Sequence, residues 1–389
     1  MTDTERDSRR RQLDAWGGAT RLLAPVPGRE RIGDRLARLA EQGARAHDFG
    51  DWTDQYGNED GIVGELERRT AAALGTEAAA FFPTGTMAQQ VALRCWAGRT
   101  GNSTVALHPL SHPMVWERDA LQILAGLRPI RPTTEPRLPT AAEVRALDEP
   151  FGTLMLELPL REAGFVLPTW DELTAVVEAA REREAVVHFD GARLWESVTH
   201  FGRPLTAVAS LADTVYVSFY KSLGGLSGAA LAGPATVVEE AAAWRHRYGG
   251  QPFQQWPAAL AALAGLDLEL PRLPEYVRHA ATVAGALHEA FTGSGLPWWR
   301  VWPRTPHTHQ FQVWLPYEAD ELTEAGVRQA EETGTVLFRR WSRPSGAPPG
   351  TAATEVTVAR PGLSWTAEDV RAAVAEFLDF RAAAAAAPS

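Results

Sequence analysis

Val215-Tyr216-Val217-Ser218-Phe219-Tyr220-Lys221-Ser222-Leu223-Gly224-Gly225 is the stretch that decides how this chain folds. Its first residues are β-branched or aromatic and glycines close it, so a buried strand ending in a lysine is predicted. Burial disfavours a charged amine, lowers its pKa and leaves a neutral, nucleophilic nitrogen. The two glycines leave room for a bulky group on that nitrogen. An ordinary surface lysine at a strand end fits the same letters.

Outward from this stretch the pattern alternates. Ala78–Phe82 is a short apolar run, and Met87–Trp96 follows with helical spacing. Thr104–His108 reads as a strand, Trp116–Leu124 as a helix and Thr153–Leu158 as a strand. Thr169 and Glu172 make a capping box for a helix with Leu173, Val176, Val177 and Ala180 on one face. Ala185–Phe189 and Gly228–Ala232 are further strands, and Pro234 takes the first position of the next helix. Strands alternating with helices imply right-handed crossovers and a mostly parallel sheet. Near 270–295 the rhythm changes to a long helix, Leu273–Phe291, and the chain closes with another, Thr366–Arg381. The predicted organisation is an N-terminal segment and helix over 1–45, a large α/β domain over 46–272 and a smaller α+β domain over 273–389. Residues 1–20 read as mobile and Ala382–Ser389 as low complexity.

At 389 residues the chain exceeds a single modal core, which agrees with two domains. Its net charge of −10, with no dense Lys/Arg run in the body of the chain, argues against nucleic acid or an anionic membrane as partner. No stretch approaches ~20 uninterrupted apolar residues, and the polar N-terminus lacks the apolar run of a signal peptide. With Cys95 as the only cysteine, no intramolecular disulfide can form, so a reducing cytoplasm is expected. Cys95 is expected in the core, as are most of the fourteen tryptophans, Trp116, Trp195 and Trp256 among them.

In an open parallel sheet the ligand lies beyond the carboxyl ends of the strands. Four positions stand there. In Phe82-Pro83-Thr84-Gly85-Thr86-Met87 a glycine and a helix start could cradle an anion such as phosphate, although a plain N-cap by Thr84 or Thr86 also fits. Asp190 ends Val186-Val187-His188-Phe189-Asp190-Gly191-Ala192-Arg193, and a carboxylate there needs a positive partner, which an ordinary ion pair with Arg193 would supply. Lys221 is the third. His112, in Ser111-His112-Pro113-Met114-Val115-Trp116-Glu117, is the fourth, and a structural role would suit it equally. Together they offer an anion cradle, an amine, a carboxylate and a flat ring.

The same segments, with Asp54-Gln55-Tyr56-Gly57, Leu66-Glu67, Leu156-Glu157 and Tyr248-Gly249-Gly250, resemble the threonine aldolase and β-eliminating lyase branch of fold-type I pyridoxal-phosphate enzymes. That resemblance implies a seven-stranded-type sheet flanked by helices, and pyridoxal 5'-phosphate as a Schiff base on Lys221. By the same likeness Asp190 would pair with the pyridine nitrogen, Arg193 would reach the 3-oxygen, Gly85 and Thr86 would hold the phosphate, and His112 would stack on the ring and handle a proton at the substrate's β-hydroxyl. Tyr56 would lie at the mouth. The implied reaction is retro-aldol cleavage of a β-hydroxy-α-amino acid to glycine or another small amino acid plus an aldehyde, in a homodimer or homotetramer.

The sequence departs from that pattern in places. Where the family carries Asn-Thr-His after its Leu-Glu pair, this chain has Leu158-Pro159-Leu160-Arg161-Glu162. The arginine for the substrate carboxylate falls near Val358, leaving Arg360, two residues on and on the same strand face, as substitute. The family's early Ser-Asp motif is not evident near the N-terminus. A substrate larger or more polar than L-threonine is therefore expected, with Arg161 and Arg360 contacting it. β-Elimination, racemisation and transamination share the cofactor chemistry, and an inactive binding protein is the reading from another class. No Gly-x-Ser-x-Gly elbow is present, and His307 and His309, two apart on an expected strand, lack a third ligand, so no metal is expected.

Overall fold

The computed structural model of the chain describes residues 3–26, 30–344 and 347–386. It divides into two compact units, Leu36–Pro274 and Met1–Arg35 with Glu275–Ser389. The first 35 residues thus belong with the C-terminal part of the chain rather than standing apart.

The larger unit is built on a seven-stranded sheet. Its strands are β1 (Ala78–Phe82), β2 (Thr104–Ala106), β3 (Arg128–Ile130), β4 (Thr153–Glu157), β5 (Val186–Gly191), β6 (Thr214–Ser218) and β7 (Ala229–Gly233). Across the sheet they run β1-β7-β6-β5-β4-β2-β3. The pairs from β6 to β3 are parallel, whereas β7 is antiparallel to both its neighbours. β1 therefore points the same way as β6, and the whole set except β7 ends on one edge. β4, β6 and β7 are buried at every position, as expected of strands covered on both faces.

Five helices of this unit are α1 (Ile62–Leu74), α2 (Gly85–Thr100), α3 (Trp170–Glu182), α4 (Ala235–Arg247) and α5 (Trp256–Leu268). α3 opens with the expected capping box: Thr169 accepts from the Glu172 N–H, and Glu172 accepts from the Thr169 N–H at 2.8 Å. Cys95 is buried on α2, and burial pushes its thiol up to about 12.

Several expectations need correction. Trp116–Leu124 is not one helix; short turns His112–Val115 and Ala120–Ile123 flank Arg118 and Asp119, both left-handed at φ 51° and 60°. Unwinding there turns Glu117 inward, where His112 and Gln90 engage its carboxylate. β3 was not foreseen because Pro129 sits in its middle, which an edge strand tolerates. Pro234 is the N-cap of α4, one residue before its helical start. Trp116 is 55% exposed, whereas Trp195 is buried.

In the smaller unit β8 (Arg300–Trp302), β9 (Gln310–Leu315) and β10 (Ala352–Thr357) form an antiparallel sheet in the order β10-β9-β8. Helices α6 (Leu273–Thr292), α7 (Ala319–Thr333) and α8 (Ala367–Ala386) accompany it, with Phe291, Phe311, Phe338, Trp341 and Phe377 in its core. Residues expected to be mobile form the helix Asp3–Gly18, tied to α7 by Arg11, which reaches Glu324 and Glu331. The low-complexity tail continues α8 as far as Ala386; Ala387–Ser389 lie outside the described residues. β10 ends at Thr357, so Arg360 is not on a strand face; it is exposed and opens the 3-10 turn Arg360–Ser364. His309 precedes β9 and its Nδ1 donates to the Val358 carbonyl at 2.7 Å, a structural staple between segments. No helix among the described residues is long and apolar enough to cross a membrane.

Removing the cap of α3 tests the local reading. Thr169→Ala is expected to lower unfolding stability by about 1 kcal/mol in urea titrations, without change in the slope.

Candidate active site

Strand register gathers the site. Glu157 on β4 lies opposite Asp190 on β5, and Asp190 lies opposite Tyr216 on β6. Ser218 at the end of β6 and Phe82 at the end of β1 both pair with Ala229 of β7. Gly85 and Lys221, each three residues past those ends, therefore leave the sheet on the same edge as the two acids.

Asp190 is 1% exposed and accepts the Ala192 N–H at 3.2 Å. Its expected ion pair with Arg193 does not form; the Arg193 guanidinium lies 5.3 Å from the centre of the Phe165 ring. Burial raises the Asp190 pKa, and the charge of His112 pulls it back down. Glu157 beside it is also buried, and burial followed by the Asp190 charge raises its pKa. Its carboxylate joins two loops, accepting the backbone N–H of His112 at 2.6 Å and of Arg161 at 3.2 Å.

His112 donates from Nδ1 to Glu117 Oε1 at 3.2 Å, so Nε2 is the ring nitrogen that Glu117 does not engage. Gln90 Nε2 holds the other Glu117 oxygen at 2.7 Å. The Glu117 hydrogen bond raises the His112 pKa against burial. Gly85 begins α2 under the N-cap Thr84, whose hydroxyl accepts the Met87 N–H at 3.2 Å. The plain N-cap is thus real, and it frees the Thr86 hydroxyl from that duty. Gly85 is also required sterically: a Cβ there would stand 2.0 Å from the Tyr216 hydroxyl. Burial raises the Tyr216 pKa, with Asp190, Tyr220, Arg193 and Glu117 all close enough to contribute.

Lys221 lies beyond β6 rather than at its end, in a loop closed by Gly225 N–H to Phe219 O at 2.9 Å. It is half-buried, not fully desolvated, with Nζ 4.9 Å from the centre of the Tyr220 ring. Lys221 is the only lysine in the chain; every other basic side chain among its 38 Lys and Arg is arginine. A full count by residue type would have singled it out. Arg161 and Glu162 pair at 3.3 Å, and Glu162 accepts the Trp116 indole N–H at 3.0 Å. The Arg161 guanidinium lies 5.7 Å from the centre of that ring. Tyr56 is left-handed at φ 60°, with its N–H on Phe253 O at 2.8 Å and its ring edge-on to Phe253. Arg360 belongs to the smaller unit. Among the described residues no group of three or more His, Cys, Asp or Glu side chains could hold a metal ion.

Glu157 stands in the sequence only as the acid of the Leu156-Glu157 pair. Yet it carries the signal that exposed Asp190, an acid ending an apolar strand. Gln90 and Tyr216 had no such mark.

Residues 39–292 match the family model for β-eliminating lyases. The chain belongs to the β-eliminating lyase family. This family is one of pyridoxal-phosphate-dependent lyases. The low specificity L-threonine aldolase of Escherichia coli K12 is 31% identical over 262 residues, 66% of this chain and 77% of that protein. A solved structure from Exiguobacterium, provisionally assigned as an aromatic amino acid β-eliminating lyase/threonine aldolase, superimposes with a TM-score of 0.84 at 32% identity, covering 95% of this chain and 99% of its own. A Listeria monocytogenes structure, provisionally assigned as an L-allo-threonine aldolase, gives 0.84 at 31% identity over the same shares. Sphingomonas wittichii serine palmitoyltransferase, at 17% identity and a TM-score of 0.62, shares the fold, covering 90% of this chain and 84% of its own. The fold is fold-type I. The residues present fit the family's cofactor: a lone lysine for the aldehyde, a buried acid for a basic ring nitrogen, and a glycine at a helix start where a side chain would clash.

Two substitutions probe the geometry. Replacing Glu117 with Gln removes the charge that favours imidazolium, so the His112 titration followed by NMR is expected to move to lower pH. Gly85→Ala is expected to cost about 1–3 kcal/mol by crowding Tyr216 and to weaken pyridoxal-phosphate uptake, read by equilibrium dialysis.

Proposed function

We propose that this enzyme holds pyridoxal phosphate on Lys221 and cleaves the Cα–Cβ bond of a β-hydroxy-α-amino acid, releasing an aldehyde and glycine or another small amino acid. The observation that carries this is the position of the chain's only lysine at the same sheet edge as the buried Asp190 carboxylate. The threonine aldolases among its relatives support the reaction type.

The bound cofactor supplies an electron sink for charge developing at Cα. The chain's own residues do the rest. Asp190 would face the pyridine nitrogen and keep it protonated, Arg193 would hold the 3-oxygen, and Gly85 and Thr86 would bind the phosphate at the start of α2. His112, fixed through Nδ1 by Glu117, would lie on the ring face and take the β-hydroxyl proton at Nε2. Glu157 would hold the His112 and Arg161 loops in one geometry through its two backbone hydrogen bonds.

The substrate would be larger or more polar than L-threonine. In place of the family's second histidine, Arg161 and Glu162 form a charged pair against the exposed Trp116 ring. Tyr56 would border the mouth. Exposed Phe49, Trp52, Tyr56 and Phe253 support a homodimer or homotetramer, to be read by light scattering.

Steady-state cleavage of L-threonine, L-allo-threonine and phenylserine tests the substrate reading. Phenylserine is expected to give the highest kcat/KM, and Arg161→Ala to cost that value roughly tenfold, about 1.4 kcal/mol. Fast, threonine-selective cleavage would contradict it. A keto acid, the opposite enantiomer or pyridoxamine phosphate as product would replace aldol cleavage with elimination, racemisation or transamination; no turnover in the loaded protein would favour a binding role.

A further inference from the structure

Behind Asp190 runs a line of buried side chains that no step above uses. Trp96 Nε1 donates to Thr214 Oγ1 at 2.8 Å, and the same oxygen lies 2.8 Å from His188 Nδ1. His188 Nε2 lies 2.6 Å from Gln89 Oε1. Gln89 Nε2 is buried with no hydrogen-bond partner of its own, and its nearness to Asp190 favours the ionised form of that carboxyl. Gln89, His188 and Thr214 are all almost fully buried.

The chemistry of the two ends fixes the direction of the line. An indole N–H can only donate, and a carboxylate can only accept. Burial keeps His188 neutral, its pKa pushed down to about 3, so the ring offers one donor and one acceptor. One order matches donors to acceptors along the line: Thr214 donates its hydroxyl proton to Nδ1, His188 donates from Nε2 to the Gln89 carbonyl, and the unpartnered Gln89 amide N–H is turned toward Asp190. The reverse order strands the Thr214 proton and turns a carbonyl onto a carboxylate. Each bond also polarises the next.

We propose that Gln89 is a positioning residue, locked by Trp96, Thr214 and His188 so that its amide N–H keeps Asp190 ionised and aimed at the cofactor's ring nitrogen. This rests on the reading that Asp190 faces that nitrogen. The other charged or titratable groups around Asp190 are Glu157 on β4, His112 and Glu117 after β2, Arg193 after β5, and Tyr216 and Tyr220 on and past β6. None of the substitutions below changes them.

The test is the ring-nitrogen NMR shift of the holoenzyme loaded with ¹⁵N-labelled pyridoxal phosphate, followed against pH. Gln89→Leu is expected to lower the pH at which that nitrogen loses its proton by about one unit. Thr214→Val, which keeps shape and removes the hydroxyl, is expected to shift it the same way by less, and Thr214→Ser to restore the unsubstituted profile. If Gln89→Leu fails to fold, the Thr214 pair decides alone. An unmoved titration in the folded variants would overturn the inference while leaving the site intact. No attached cofactor in the unsubstituted chain would overturn the reading of the site, and this inference with it.

Discussion

Two buried carboxylates face each other across adjacent parallel strands, Asp190 on β5 and Glu157 on β4. Neighbouring strands stand about 4.8 Å apart, and like charges at that spacing in a dry interior cannot both ionise cheaply. The structure answers with donors. Glu157 takes two backbone N–H groups, Asp190 takes one, and His112 is drawn in with its pKa raised. The loops after β2 and β4 are therefore both held by Glu157, while Asp190 beside it is the acid that a cationic ring would neutralise. A scaffold needing only a stable sheet would gain more from apolar residues at both positions.

Register turns this local arrangement into a site. Because β7 runs against both β6 and β1, the ends of β1 and β6 meet the same residue of β7, and the glycine at the start of α2 and the lone lysine share an edge with the two acids. Tyr216 fills the space beside Gly85 so closely that only a residue without a Cβ fits. The kinship with β-eliminating lyases and the geometry at this edge thus point to the same chemistry.

Much of this was legible in the letters. The apolar runs ending in Asp190 and near Lys221, the capping box at Thr169 and the helix after Gly85 are local signals, and each was found with its neighbours in the right order. What escaped needed three dimensions or a different count. The broken helix after His112 depends on Glu117 turning toward Gln90, a partner on α2, 27 positions away. Arg360 leaves its strand early because β10 ends at Thr357, which no alternation pattern announces. β3 was hidden by its own proline. Gln89 and His188 carry no mark in the sequence, since only the hydrogen bonds between helix and sheet give them direction.

The chain's single lysine makes one measurement unusually direct. The protein loaded with pyridoxal phosphate is reduced with borohydride, digested and mapped by mass spectrometry. The account predicts one stoichiometric phosphopyridoxyl adduct on the peptide carrying Lys221, lost when Asp190 and Lys221 are both replaced. A protein that takes up no adduct, or takes it up only at its terminal amine, would contradict it.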